Sequence, residues 1–169
     1  MADTATKIPL ATTTISGTST NQITFSNISG SYTDLIMVIK AGTTVNSGGS
    51  CYIRFNNDST TIYSQTNLDG TGTSAVSDRL TGNGQFYIDY YGTLKTDLSS
   101  VIIVQINNYS NSTTYKTALS RANNAGLGVD AIVGLWRSTS AINRIDYYPQ
   151  SGKYFSDGSM VTLYGIAAA

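Results

Sequence analysis

The sequence predicts an all-β fold: an antiparallel two-sheet β-sandwich, jelly-roll-like in its connections, with about nine or ten strands. Three observations predict it. Runs of about five to eight residues rich in Ile, Val, Thr and Tyr recur along the chain, bounded by Gly, Ser, Asn, Asp or Pro. All ten acidic residues are aspartate, which favours turns and caps where glutamate favours helices. Ser and Thr make up roughly a quarter of the chain, and Thr, like the twelve tyrosines, suits a pleated, half-buried strand.

Taken in order, residues 1–7 are polar and are expected to form a flexible arm before a single domain spanning residues 8–166. A first strand is expected from about Lys7 to Ser16. Pro9 lies near its start, where a missing N–H is tolerated on a sheet edge. Gln22 to Phe25 follows a turn. Asp34 to Ala41 (DLIMVIKA) is apolar at both parities and is expected to be a central strand covered on both faces. A Gly/Ser/Asn loop, Thr43 to Ser50, leads to a strand from Cys51 to Phe55 and a turn at Asn56-Asn57-Asp58. Thr61 to Thr66 reads as a short strand. Leu68 to Gly84, with four glycines and little periodicity, reads as a long surface loop. Gln85 to Tyr91 is a strand with aromatics at both parities, and Ser99 to Asn107 (SSVIIVQIN) is the most apolar strand and so a central one. Tyr115 to Ala122 reads as either strand or a short helical turn, and Asn123 to Gly128 as a loop. Ala131 to Trp136, Ile142 to Tyr148 ending at Pro149, and Met160 to Tyr164 complete the set.

Composition excludes several functions. Charged residues are 12% of the chain and balance to zero, against a usual share of about 25%, so no basic field exists to attract nucleic acid. No apolar run approaches the roughly 18 residues of a membrane helix, and the polar N-terminus lacks the apolar core of a signal peptide. Synthesis in a cytoplasm, without membrane association or export by the usual route, is the expectation. Cys51 is the single cysteine. It shares a parity with Ile53 and Phe55 and reads as a buried core thiol.

With no histidine in the chain, a Ser-His-Asp triad or a His-containing metal site is impossible. The scattered aspartates offer no pair that sequence alone can set at glycosidase separation. The loops Asn56-Asn57-Asp58 and Asp157-Gly158-Ser159 carry oxygen ligands of the calcium type but lack a regular spacing, and Asx-turns explain them. No enzyme activity, metal or cofactor is expected. Among the aromatics, Tyr87, Tyr90 and Tyr91 lie on one strand, while Tyr147, Tyr148 and Tyr154 cluster around Pro149. These rings suit either packing in the core or at a subunit interface, or contact with a sugar.

Several stretches resemble a family of small structural proteins of tailed bacteriophages. They are Ile23-Thr-Phe-Ser-Asn-Ile-Ser-Gly-Ser-Tyr-Thr-Asp-Leu35, Ile53-Arg-Phe-Asn56, Gly134-Leu-Trp-Arg137, Ile145-Asp-Tyr-Tyr-Pro149 and Leu163-Tyr-Gly-Ile166, together with an opening strand at Ala11 to Thr14. The resemblance spans about residues 8–166. It implies a β-sandwich on the surface of a virion, as a capsid decoration (cement) protein or as part of a fibre or spike. One short domain without heptads or a shaft favours the decoration protein, a homotrimer bound to the major capsid protein, docking through the N-terminal arm or the edge near Pro9. The alternative is a receptor-binding module that recognises host-surface glycan through Tyr147, Tyr148 and Tyr154.

Overall fold

Alternation governs the two most apolar stretches. In DLIMVIKA the side chains of Leu35, Met37, Ile39 and Ala41 are buried, and in SVIIVQIN those of Ser100, Ile102, Val104 and Ile106 are. Period-two burial means one face of each strand packs on a core. A computed structural model of the chain describes residues 6–45 and 49–167. Among these residues there are twelve strands: β1 (Lys7–Thr14), β2 (Ile23–Phe25), β3 (Asp34–Ala41), β4 (Cys51–Phe55), β5 (Tyr63–Gly70), β6 (Ala75–Asn83), β7 (Phe86–Asp89), β8 (Ser100–Asn107), β9 (Lys116–Asn124), β10 (Gly128–Trp136), β11 (Ile145–Pro149) and β12 (Met160–Ile166). No described residue is helical, so none forms a helix long and apolar enough to cross a membrane.

The strands form two antiparallel sheets, as expected of a sandwich. The large sheet has eight strands in the order β1-β12-β3-β8-β9-β10-β5-β6, and the small sheet has four in the order β2-β11-β4-β7. Twelve strands split eight to four therefore stand where a jelly roll has eight strands in two Greek keys. The core lies between the sheets. Leu35, Met37, Ile39, Ile102, Val104 and Ile106 of the large sheet face the side on which Phe25, Ile53, Phe55 and Ile145 are buried. Cys51 is buried there as well, in phase with Ile53 and Phe55.

Four expectations need correction. Lys7 belongs to β1, opposite Ile166, and not to an arm; residues 1–5 lie outside the described residues. The strand Asp34–Ala41 is covered on one face only, because Ile36 and Val38 point outward and are half-buried. The expected loop from Leu68 to Gly84 is instead the end of β5, a tight turn closed by Thr71 N donating to Ser74 O at 3.0 Å, and the whole of β6. Strand β6 is open to solvent along nearly its whole length, which leaves it no buried face for periodicity to report. Finally, the expected loop Asn123–Gly128 shrinks to 125–127, because the strand reading of Tyr115–Ala122 holds and extends: Lys116–Asn124 is a regular strand with alternate side chains buried, and β10 begins at Gly128.

Candidate functional site

Pro9 is exposed on β1, the edge strand of the large sheet, opposite Tyr164 and next to a bulge that ends at Ala11. Its lack of an N–H is harmless at an edge. Of the three tyrosines grouped around Pro149, the fold separates all three. Tyr147 is fully buried, its ring 4.8 Å from that of Phe155, and so is no part of an exposed surface. Period two explains this: Ile145, Tyr147 and Pro149 share the inward parity of β11. Tyr148 points outward on the small sheet, stacked on Tyr52 at 5.1 Å. Tyr154 is 42% exposed in the loop between β11 and β12.

The outward face of the small sheet is occupied by its own side chains. Tyr148, Tyr52 and Tyr87 stand opposite one another on β11, β4 and β7, with Tyr87 edge-on to Tyr52 at 5.8 Å. Arg54 lies over Tyr52 and Tyr148 at 5.5 and 5.4 Å and donates to Gly84 O and Gln85 Oε1. In the next row, buried Asp146 accepts from Arg144, Thr24 and Gln22. Burial pushes its carboxyl up, but the Arg144 guanidinium and these hydrogen bonds outweigh burial and hold it below its usual range. Ring faces already engaged by rings and a guanidinium are poorly placed to stack on a sugar.

The half of the large sheet formed by β9, β10 and β5 reverses the usual polarity. Inward from β5 point Tyr63, Gln65, Asn67 and Asp69, while Leu68 points out and is 55% exposed. Inward from β10 point Asp130, Ile132, Gly134 and Trp136, while Val129 and Val133 are exposed. Specific contacts hold this register. Gln65 Oε1 accepts from Tyr87 N at 2.9 Å, and Asp130 Oδ2 accepts from Tyr90 N and Tyr91 N, both at 2.8 Å. Trp136 Nε1 donates to Asp58 Oδ2 at 2.9 Å, and Gly134 leaves the space that the Phe86 ring fills. Asp58 Oδ1 meanwhile accepts from Thr60 N at 2.8 Å, an Asx-turn as the sequence suggests.

Within this half lies a chain of three carboxyls that no spacing in the sequence announces. Asp130 is opposite Asp69 in the β10–β5 ladder and lies within hydrogen-bonding reach of both Asp69 and Asp89. Asp89 accepts from Gly92 N, Thr93 N and the Thr93 hydroxyl, pinning the turn after β7. Burial, then the neighbouring Asp89 charge, outweighs the Tyr90 and Tyr91 amides and pushes Asp130 up to about 6. Burial also raises Asp69 and Asp89. Oδ1 of Asp69 and Oδ1 of Asp130 have no hydrogen-bond partner among the described residues. Two ionised carboxylates cannot bond to each other, so a shared proton is the natural link. These residues are 0–6% exposed, so the chain is an internal lock, closed to a substrate. Among the described residues no group of three or more acidic or thiol side chains is spaced to hold a metal ion.

Two open surfaces remain. One is the outward face of β8, β9, β10 and β5, where Leu68, Leu119, Val129 and Val133 are each about half exposed. The other is a polar depression at a loop end, lined by Tyr90, Tyr91, Gln150 and Lys153, near exposed Tyr154. Neither surface was legible as a site. The aliphatics of the first come from stretches read separately, Leu68 in an expected loop, Leu119 in a strand or helical turn and Val133 in a strand, and the second assembles from three separate loops. Comparison with protein-family models and with curated proteins finds no match to this chain.

Proposed function

We propose that the protein is a non-enzymatic structural component of a tailed-phage particle: a capsid decoration (cement) protein that binds the outer capsid surface and stabilises the shell. The observation that carries this reading is the aliphatic outward face of the large sheet, left open, whereas the outward face of the small sheet is occupied by its own rings and Arg54. Contiguous exposed apolar surface marks a contact that another protein covers. The resemblance to phage structural proteins supplies the particle, and with it the major capsid protein as partner and a homotrimer as the assembled form. The physical role is then simple. Each Å² of apolar surface covered at the capsid contributes about 25 cal/mol against the pressure of packaged DNA, less the cost of association.

Immunogold electron microscopy of intact phage, with antibody against the purified chain, tests the reading. Label over the head is the expected result. Label confined to the tail or its tip would shift the assignment to attachment, and particles without label would remove the virion assignment altogether.

A second reading, a glycan-binding attachment module, rests on the loop-end depression instead. Tyr91 is 40% exposed there beside Gln150 and Lys153, and an accessible ring with polar neighbours suits a sugar. Binding on a glycan array that Tyr91→Ala abolishes would favour it; an array without hits would dismiss it.

A further inference from the structure

The polarity of β5 and β10 is the starting point. A slip of one residue would carry every side chain of a strand to the other face. In β5 that slip would bury Leu68 and release Tyr63, Gln65, Asn67 and Asp69 to water. The observed register keeps the Tyr63 ring inside and leaves Leu68 out. The chain keeps it through the inward hydrogen bonds of Gln65, Asp130 and Trp136. Aliphatic side chains held outward in this way are arranged for something that comes to cover them.

The charges on this face narrow what that is. Arg121 points outward from β9, opposite Ala131 on one side and Ile103 on the other, and so stands in the middle of the aliphatic surface. Its guanidinium makes no hydrogen bond or ion pair among the described residues. No carboxylate occupies an outward position of β5, β8, β9 or β10. Two more cations flank the surface: Arg79 on β6, bonded to Thr66 Oγ1 at 3.2 Å, and Lys40 on β3. The chain is formally neutral overall, but four of its aspartates, Asp69, Asp89, Asp130 and Asp146, are buried away from this face. The face itself is cationic.

We propose that this face docks a protein surface with an aliphatic centre and carboxylates placed to meet Arg121, Arg79 and Lys40. A second copy is the wrong occupant. In a two-fold pairing centred on the patch, Arg121 would meet its own symmetry mate, and like charges across an interface are repulsive. The absence of aromatic rings from the patch disfavours a sugar. Five strands from β3 to β5, at about 4.8 Å spacing and about 25 Å long, offer roughly 600 Å², near the roughly 800 Å² that one side of a standard interface buries. The proposal rests on the particle reading above and names its contact: the capsid patch beneath this face is acidic-rimmed and aliphatic, and a homotrimer is built through other surfaces.

The test uses the full purified chain and phage particles from which its gene has been deleted, with binding read by co-sedimentation. Leu119→Lys and Val133→Lys are already at solvent positions, so their melting temperatures should match wild type. Each should weaken binding at least about tenfold. Arg121→Glu should weaken it more than Arg121→Gln, and wild-type binding should fall as salt rises. If the wild type binds and all these variants bind equally well, this inference fails while the particle reading stands. If the wild type does not bind the particles, both fail together. Sedimentation velocity showing self-association that Leu119→Lys abolishes would make the occupant a second copy and overturn the proposal. So would binding to anionic phosphatidylglycerol vesicles that Arg121→Glu abolishes.

Discussion

Between β3 and β8 the inward positions hold Leu35, Met37, Ile39, Ile102, Val104 and Ile106, whereas on β10 and β5 Asp130, Gln65, Asn67 and Asp69 stand inward among Tyr63, Ile132 and Trp136. One sheet thus closes its interior in two ways. The first half is dry and held by dispersion and apolar burial, which are non-directional and tolerant of small shifts. The second half is held by directional bonds to the backbone of β7 and of residues 90–93. The first half supplies stability; the second fixes a register that leaves aliphatics outside. The contrast teaches that exposure of Leu68 and Val133 is specified by the fold.

The largest expected effect is in the dry half. Ile102→Ala should cost about 3–4 kcal/mol in urea denaturation, from lost burial and the cavity left behind. Gly134→Ala tests the packing of β10 against β7 of the small sheet. A Cβ there would lie 2.2 Å from Phe86 Cε2, with more of that ring within 2.7 Å, so overpacking should cost about 3 kcal/mol.

Asp130→Asn addresses the shared proton. Asp130 is raised from an unfolded value of about 3.9 to about 6, so the native state holds the proton more tightly. Its stability contribution is fully present below about pH 4 and lost as pH rises through about 6, a fall of at most about 3 kcal/mol. An Asn side chain can still accept from Tyr90 and Tyr91 and donate to its carboxyl neighbours, so the variant should lose this slope. A wild-type stability flat from pH 4 to about 7 would sink the shared-proton account, as would a melting temperature that rises with calcium and falls with chelator. Asp146 has the opposite sign: with its carboxyl held low by Arg144, its contribution is present above about pH 4 and lost on acidification. Asp146→Asn should blunt the acid limb of a pH–stability curve.

The smallest effect is the sharpest discriminator. Leu68→Ser should change stability by no more than about 0.5 kcal/mol, as at any surface position. A loss comparable to that of Ile102→Ala would place Leu68 in a core and refute the reversed polarity.

Where apolar side chains face inward the sequence is easily read. Asp34–Ala41 and Cys51–Phe55 coincide with β3 and β4, and Ser99–Asn107 with β8 to within a residue. Reading found only the first part of β5, within Thr61–Thr66, and missed β6, for two different reasons. In YSQTNLDG the polar residues are the buried ones, so hydrophobic alternation signals nothing, and β6 has no buried face at all. The candidate surface suffered from the same reversal. Aromatic clustering near Pro149 drew the reading towards Tyr147, which the pleat turns into the core, while Val133 passed as an ordinary strand residue and Leu119 as part of a strand or helical turn. Their outward parity depends on which neighbours β9 and β10 select, and that information is non-local.

Lys7 and Ile166 lie opposite each other in the β1–β12 ladder. The first and last strands therefore meet at one edge of the large sheet, the full width of that sheet away from β6, roughly 34 Å at about 4.8 Å per strand. The pairing scheme is close to a closed circuit. A short linker joining residue 167 to residue 6 would complete the ring, and a new break in the turn at 71–74 would leave every ladder intact. Such a circular permutant should melt close to the parent, and its new termini would emerge beside the cationic face, where a tethered probe can report on whatever covers it.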